Sequence, residues 1–233
     1  MPQRFAIYYA PDASNALWDR ATIWLGRDPA DSSLIEGAVA GIDRTRLLNL
    51  TQSAARYGFH ATIKPPMALA EAQSEAQLRA ALEDFAARKA PVDLGHLQIA
   101  DLDGFLALVP EQSNAALQDF AADVVTHFEP FRAPLDPANR DARAAKGLSD
   151  RQLELLDTYG YPYVMEQFRF HMTLTDRLQP DDRADLLEAA RVWFGPALDA
   201  PVVLDRLVLY HEPESGKPFR RIAEFALKDE RIV

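Results

Sequence analysis

One nine-residue pattern occurs twice in this chain, and its repetition limits the fold more than any other feature. Arg56-Tyr57-Gly58-Phe59-His60-Ala61-Thr62-Ile63-Lys64 in the first half is matched by Gln167-Phe168-Arg169-Phe170-His171-Met172-Thr173-Leu174-Thr175 in the second. Both read Phe-His-x-Thr-aliphatic and alternate apolar with polar at period two, the mark of a strand packed on one face and open on the other. Phe59, Ala61 and Ile63 share the packed face of the first copy, leaving Gly58, His60, Thr62 and Lys64 on the open one. In the second copy Phe168, Phe170, Met172 and Leu174 oppose Arg169, His171, Thr173 and Thr175. Same-face neighbours on a strand stand about 6.5 Å apart, so each histidine lies beside a hydroxyl and near a cation. Two such strands together make a cationic groove lined by imidazoles.

The elements downstream of each copy repeat as well. After the first, Pro65-Pro66 ends the strand. A helix is predicted over 74–89, opened by the capping box Ser74-x-x-Gln77 and carrying Leu78, Leu82 and Phe85 on one face. Asp103-Gly104 then turns a hairpin between 94–99 and 105–109. After the second copy, a helix from Pro180 to Gly195 leads into 202–210, a turn through Glu214-Ser215-Gly216, and 219–225. Asp103 and Glu214 stand at the same offset, about 43 positions, from their histidines. A first strand within 1–9, a helix opened by Ser14 and closed by Gly26, a linking segment over 27–55 with short helical pieces, and a crossover helix over 113–128 complete the order.

The expected class is therefore α+β. We expect one bilobal domain over 1–233, with pseudo-symmetric lobes at about 1–112 and 113–233. Each lobe is a small antiparallel sheet backed by helices, and the two sheets face one another across an active-site groove. Residues 130–166 break the rhythm with Pro130, Pro134 and Pro137, then Arg140, Arg143 and Lys146. A short helix capped by Ser149-x-x-Gln152 comes next, and then Tyr159-Gly160-Tyr161-Pro162-Tyr163. This segment reads either as a solvated loop or as a basic, aromatic lid over an anionic substrate.

Charge and composition narrow the function. Twenty-five Lys+Arg against 35 Asp+Glu leave a net charge of −10, which repels long polyanions and argues against general nucleic-acid binding. A local cationic cleft still admits a small anionic substrate. The chain has no cysteine, so disulfides, thiolate metal sites and cysteine nucleophiles are excluded. No stretch approaches the roughly 18 apolar residues of a membrane span. Residues 1–9 lack the layout of a signal peptide, and the expected location is the cytoplasm. There is no His-x-His pair, no His-Glu-x-x-His, no Walker loop and no Gly-x-Ser-x-Gly, so neither a metal nor a cofactor is expected.

Two histidines facing one phosphodiester can divide the proton transfers of its cleavage. His60 and His171 are the candidate catalytic pair, since imidazole gives or takes a proton near neutral pH. Thr62 and Thr173 are placed to donate to the phosphoryl oxygens, with Lys64 and Arg169 adding charge. Tyr8, Arg56, Tyr57, Thr175, Tyr161 and Tyr163 are further candidate substrate contacts. His96, His127 and His211 lack this context and read as surface or hairpin residues. Trp18, Trp24 and Trp193 sit among apolar neighbours and read as core.

The doubled His60-Ala61-Thr62-Ile63 and His171-Met172-Thr173-Leu174 resemble the paired motifs of the 2H phosphoesterase superfamily. The fuller strings, from Arg56 through Pro66 and from Gly160 through Thr175, are similar to its bacterial branch associated with phosphonate-utilisation operons. The resemblance implies a bilobal fold and metal-independent opening of a cyclic phosphodiester, with His60 and His171 as acid and base and Thr62 and Thr173 on the phosphate. A ribose cyclic phosphate from phosphonate breakdown and a 2′,3′-cyclic nucleotide or RNA end are both candidate substrates. A non-catalytic cleft for phosphorylated or phosphonate ligands is the competing expectation. Which histidine is acid and which is base, and the oligomeric state, are left open by the sequence.

Overall fold

A computed structural model describes residues 3–228; Met1 and Pro2 of the expected first strand, and 229–233, lie outside the described residues. Local signals set most element ends. Helix α1 (Ala16–Leu25) is capped by Asn15, whose side chain accepts from Leu17 N, and closed by Gly26 at φ 75°. The cap falls one residue after Ser14 because Ser14 is itself engaged by the Asp12 carboxylate. Two short helices, α2 (Arg44–Asn49) and α3 (Gln52–Tyr57), occupy the linking segment. Helix α4 (Glu75–Ala87) starts at Ser74 as expected, and α5 (Ala115–His127) starts at Asn114.

The 130–166 segment is more ordered than its prolines imply. Asp136 caps helix α6 (Pro137–Ala144), with Pro137 at the first turn where its missing N–H costs nothing. A full capping box between Ser149 and Gln152 opens α7 (Asp150–Tyr159). Helix α8 (Pro180–Leu198) runs past Gly195 and through Pro196. No described helix is long and apolar enough to cross a membrane.

The strands are β1 (Arg4–Tyr9), β2 (Ala61–Met67), β3 (Val92–Gly95), β4 (Leu97–Leu102), β5 (Phe105–Pro110), β6 (Met172–Thr173), β7 (Val202–Leu204), β8 (Arg206–Glu212) and β9 (Arg220–Ala226). Asp103 and Gly104 both take positive φ between β4 and β5, as a two-residue type I′ hairpin requires. Gly95, at φ 65°, breaks the expected 94–99 strand into β3 and β4.

The architecture is α+β with antiparallel pairing throughout, but the strands are not parted into two facing sheets. Among the described residues, seven form one sheet in the order β4-β5-β6-β2-β1-β8-β9, and β3 pairs with β7 in a second. The histidine strands β2 and β6 are therefore direct neighbours. The hairpins are also exchanged: β4–β5, from the first half, adds to the second histidine strand, whereas β8–β9 adds to β1 beside the first. This exchange covers edges that would otherwise present unpaired backbone groups.

A β-bulge changes the expected faces of β2. Tyr8 pairs with Thr62 but Ile7 pairs with Lys64, leaving Ile63 as an extra residue. One inserted residue reverses the alternation beyond it. The main core runs beneath the sheet, taking in Phe5, Ile7, Phe59, Ile63, Met172 and Leu174. Trp18 and Trp24 are buried in it as expected. Trp24 Nε1 donates to Leu174 O at 2.8 Å, tying α1 to the chain just after His171.

Candidate active site

Each histidine is held by the same local device. Helix α3 ends at Gly58, whose φ of 79° and ψ of 173° lie in a region only glycine adopts readily. That conformation turns the Gly58 carbonyl toward His60 Nδ1, 2.8 Å away. In the second copy the Arg169 carbonyl meets His171 Nδ1, also at 2.8 Å. A carbonyl only accepts, so Nδ1 is the protonated nitrogen of each neutral ring and Nε2 is the atom left for chemistry. His60 Nε2 lies 3.2 Å from Thr62 Oγ1.

The sheet then crosses the two motifs. Ala61 pairs with Met172 in antiparallel register. One step either side of that pair sets His60 opposite Thr173 and Thr62 opposite His171. Directly opposed side chains start about 4.5–5.5 Å apart and diagonal ones about 7–8 Å. The two imidazoles, on the diagonal, thus flank a space sized for one phosphoryl group, with a threonine beside each.

Two adjoining hollows open over this square. The larger, about 510 Å³, is lined by Thr62, His171, Arg169, Tyr161 and Tyr163 among others. The smaller, about 300 Å³, holds His60, Thr173, Thr175 and Tyr57. Phe105 and Arg177 belong to both walls, so the hollows are two ends of one cleft.

The histidine environments differ. The His60 ring stacks on Tyr8 with centroids 3.8 Å apart at 19°, and lies 6.0 Å from Tyr210 and 6.2 Å from Tyr57. Burial among these rings disfavours its charged form and pushes its pKa down to about 4. The Gly58 carbonyl opposes that shift, and His171 adds to it. His60 is therefore neutral at neutral pH. His171 is bordered more openly, with Phe105 at 5.9 Å.

Several expected contacts are brought together here and others are not. Thr62, Thr173, Arg169, Tyr57, Tyr161 and Tyr163 all line the cleft. Lys64 does not: beyond the Ile63 bulge it points inward, is 1% exposed, and donates to Val125 O and the Glu129 carboxylate at 2.9 Å each. Burial lowers its pKa, with the Glu129 hydrogen bond opposing. Arg56 is likewise engaged elsewhere, paired with the buried Glu212 and lying over the Tyr57 ring. Tyr8 backs His60 from the core and does not line either hollow. Thr175 borders the cleft, but its hydroxyl oxygen accepts from Leu106 N at 2.9 Å, a structural pin.

Of the basic residues in 130–166, Arg140 pairs with Asp157 and Arg143 lies over the Tyr161 ring. His96 and His211 contact Leu198 O and Gln3, and His127 packs on Phe85, all away from the cleft.

Two residues escaped the sequence reading. Arg177, exposed and without an ion-pair partner among the described residues, is the cation common to both ends of the cleft. Its signal was present, since the open-face parity of His171, Thr173 and Thr175 continues to 177. Asp176 accepts from Ser53 N and Ala54 N at 3.1 Å each, fixing the start of α3 against the second histidine segment. A contact spanning |i−j| = 123 leaves no mark in local sequence.

A family model described as "Protein of unknown function (DUF1045)" matches residues 62–220. Among curated proteins, the chain is 38% identical over 226 residues to "Ribose 1,5-bisphosphate phosphokinase PhnN" of Janthinobacterium sp. (strain Marseille), a match covering 93% of this chain and 49% of that protein. It is 38% identical over 221 residues to the protein of the same name from Laribacter hongkongensis (strain HLHK9), covering 93% and 50%. The chain thus spans about half the length of the curated relatives it matches. Similar solved structures include a phosphoesterase, at TM-score 0.44 and 12% identity over 97% of this chain and 99% of that one. Another is E. coli LigT complexed with 3′-AMP, at TM-score 0.43 and 13% identity over 97% and 99%.

Proposed function

This chain belongs to the family described as protein of unknown function (DUF1045), and we propose that it is a phosphoesterase that opens a small cyclic phosphodiester by two-histidine acid–base catalysis. The observation that carries this reading is the crossed square of His60, Thr173, Thr62 and His171, with both Nδ1 atoms held by backbone carbonyls. The neutral His60 is the base. Its Nε2 takes a proton from water as the water oxygen bonds to phosphorus. The bond from phosphorus to the ester oxygen breaks, and protonated His171 delivers its Nε2 proton to that leaving oxygen. Each transfer contributes about 10²–10⁴ in rate.

In the free site Thr62 faces His60 Nε2; on binding, its hydroxyl turns to a non-bridging oxygen, as does that of Thr173. Arg169 and Arg177 balance the charge that builds there. All of these groups belong to the chain, and the scheme routes no step through a metal.

The curated relatives favour a phosphorylated ribose as the substrate class. They are named for phosphorylating ribose 1,5-bisphosphate, and they are twice as long as the part matched here. This chain has no Gly-x-x-x-x-Gly-Lys-Ser/Thr loop for a nucleotide phosphate. A phosphorylated ribose cyclic ester is therefore the favoured substrate, and a 2′,3′-cyclic nucleotide is the second.

The test is turnover of both substrates by the pure protein with a chelator present. Activity should persist, and should fall about 10²–10⁴-fold in His60→Ala and in His171→Ala. Activity abolished by the chelator, or retained in both variants, would sink the mechanism. A ligand bound one-to-one in calorimetry and recovered unchanged would make the cleft a binding site only.

A further inference from the structure

A hollow of about 890 Å³, larger than either end of the cleft, opens on the other side of α3. Leu25, Ile35, Ile42 and Leu48 give it apolar walls, and Leu34 stands at its mouth, 82% exposed. Three arginines line it as well: Arg27, Arg44 and Arg56. Glu212 pairs with Arg56, a carboxylate that Arg56 shares with Arg4. The other two have no such partner among the described residues.

Arg27 is 8% exposed, and among the described residues its guanidinium donates only to the carbonyls of Ala55, Arg56 and Phe219. Arg44 donates to Trp24 O and Ile35 O, and its Nε is buried with no hydrogen-bond partner among the described residues. Two carboxylates, Glu36 and Asp43, share the lining, but neither pairs with Arg27 or Arg44 among the described residues. Asp43 accepts from Arg46 N at the start of α2, and Glu36 and Asp28 act on the two cations through space. Withdrawing a guanidinium from water without a counter-charge is costly, and carbonyl dipoles offset it only in part. An anion in the hollow would supply what is missing, because a guanidinium fork fits carboxylate and phosphate equally well.

Helix α3 is the wall between this hollow and the cleft. Gln52, Ala55 and Arg56 face the hollow, whereas Ser53, Ala54 and Tyr57 face the cleft. The residue that ends α3, Gly58, holds His60 Nδ1. We infer that the hollow is a second binding site, for a small amphipathic anion with a carboxylate or phosphate head on an apolar body, and that its occupancy is transmitted to His60 through α3. This stands apart from the phosphoesterase reading, since neither binding nor the state of the His60 ring depends on turnover.

Calorimetry of the full chain with octanoate, octyl phosphate and octylamine tests it, with histidine ring resonances followed by NMR. One-to-one binding of an anion at millimolar concentration or below is expected, and none of octylamine. The octanoate and octyl phosphate arms distinguish the head group. Arg44→Met should weaken binding about tenfold or more, as expected for a lost charge-assisted hydrogen bond. Leu34→Glu, at an exposed position that leaves the fold alone, should weaken it through repulsion at the mouth. The His60 signals should shift with the same saturation curve while those of His96 stay. Failure of both anions to bind, equal binding of octylamine, or an affinity unchanged in Leu34→Glu would overturn the site; the last outcome includes octyl phosphate seated in the catalytic cleft instead. Binding that leaves the His60 signals in place would overturn the link through α3.

Discussion

Replacing Gly58 with alanine separates the local geometry of the motif from its chemistry. With φ 79° and ψ 173°, Gly58 holds a conformation that costs other residues about 1–3 kcal/mol. An added Cβ would also come within 2.7 Å and 2.8 Å of the Pro29 ring, and relieving such overpacking costs about 1–3 kcal/mol more. The sum is about 2–6 kcal/mol, or roughly 4–24 °C in melting temperature for a chain of this size. The Gly58 carbonyl must move with the strain, carrying His60 Nδ1 from its 2.8 Å contact. A displacement of about 1 Å at a catalytic base costs about 10²-fold in kcat, with KM little changed because Arg169, Arg177 and Thr173 stay in place.

Gly147→Ala is the control for backbone strain alone, since Gly147 has φ 77° with no atom within 4 Å of an added Cβ. It should lose about 1–2 kcal/mol and keep full kcat. Urea unfolding and steady-state kinetics on the three proteins decide the matter. A Gly58→Ala protein as stable and as active as the parent would refute the role given to this carbonyl.

Other expected outcomes are simpler. Lys64→Met should lower stability by about 3 kcal/mol, the lower end for breaking a buried pair because Glu129 keeps Arg132, and should leave KM unchanged. Arg177→Met should do the reverse, raising KM while moving the unfolding free energy by no more than about 0.5 kcal/mol. Thr62→Val and Thr173→Val should each lower kcat about 10²–10³-fold, measured at saturating substrate. Acid should destabilise the fold through His60, whose pKa is about 4 folded against 6.5 as a free side chain. The unfolded chain takes the proton first, so the contribution is fully present above 6.5. It is lost as pH falls from 6.5 to 4, at up to about 1.4 kcal/mol per pH unit, and urea midpoints across that window should show a slope that His60→Phe lacks.

Features that depend on a few neighbouring residues were legible in the chain itself. The period-two alternation of Phe59 to Ile63 and of Phe168 to Thr175 marked both motif segments. Asp103-Gly104 marked a turn, and Ser74 and Ser149 with its Gln152 marked helix starts, because caps and tight turns are closed by groups within three or four positions. Even the one-residue error at Ser14 was local, a competition with the Asp12 carboxylate. The four residues of the square were legible for the same reason.

Lys64 and Arg56 were misassigned because their surroundings come from far along the chain. A bulge formed against β1 turns Lys64 toward α5, and the partner of Arg56 lies at |i−j| = 156. Alternation fixes which side chains share a face only as far as a strand stays regular, so the sequence alone determined that much for Phe59 to Thr62 and for Phe170 to Thr173, but not beyond the bulge at Ile63. It does not fix which strand lies beside which, since any two open edges with matching faces satisfy the same pattern. Only the tertiary structure decided that the hairpins exchange, that β2 and β6 join one sheet through Ala61 and Met172, and that His60 therefore shares a cleft wall with Thr173 and Thr62 one with His171. Those pairings depend on covering edges and burying a shared core across the whole chain, and no window of a few residues contains that information.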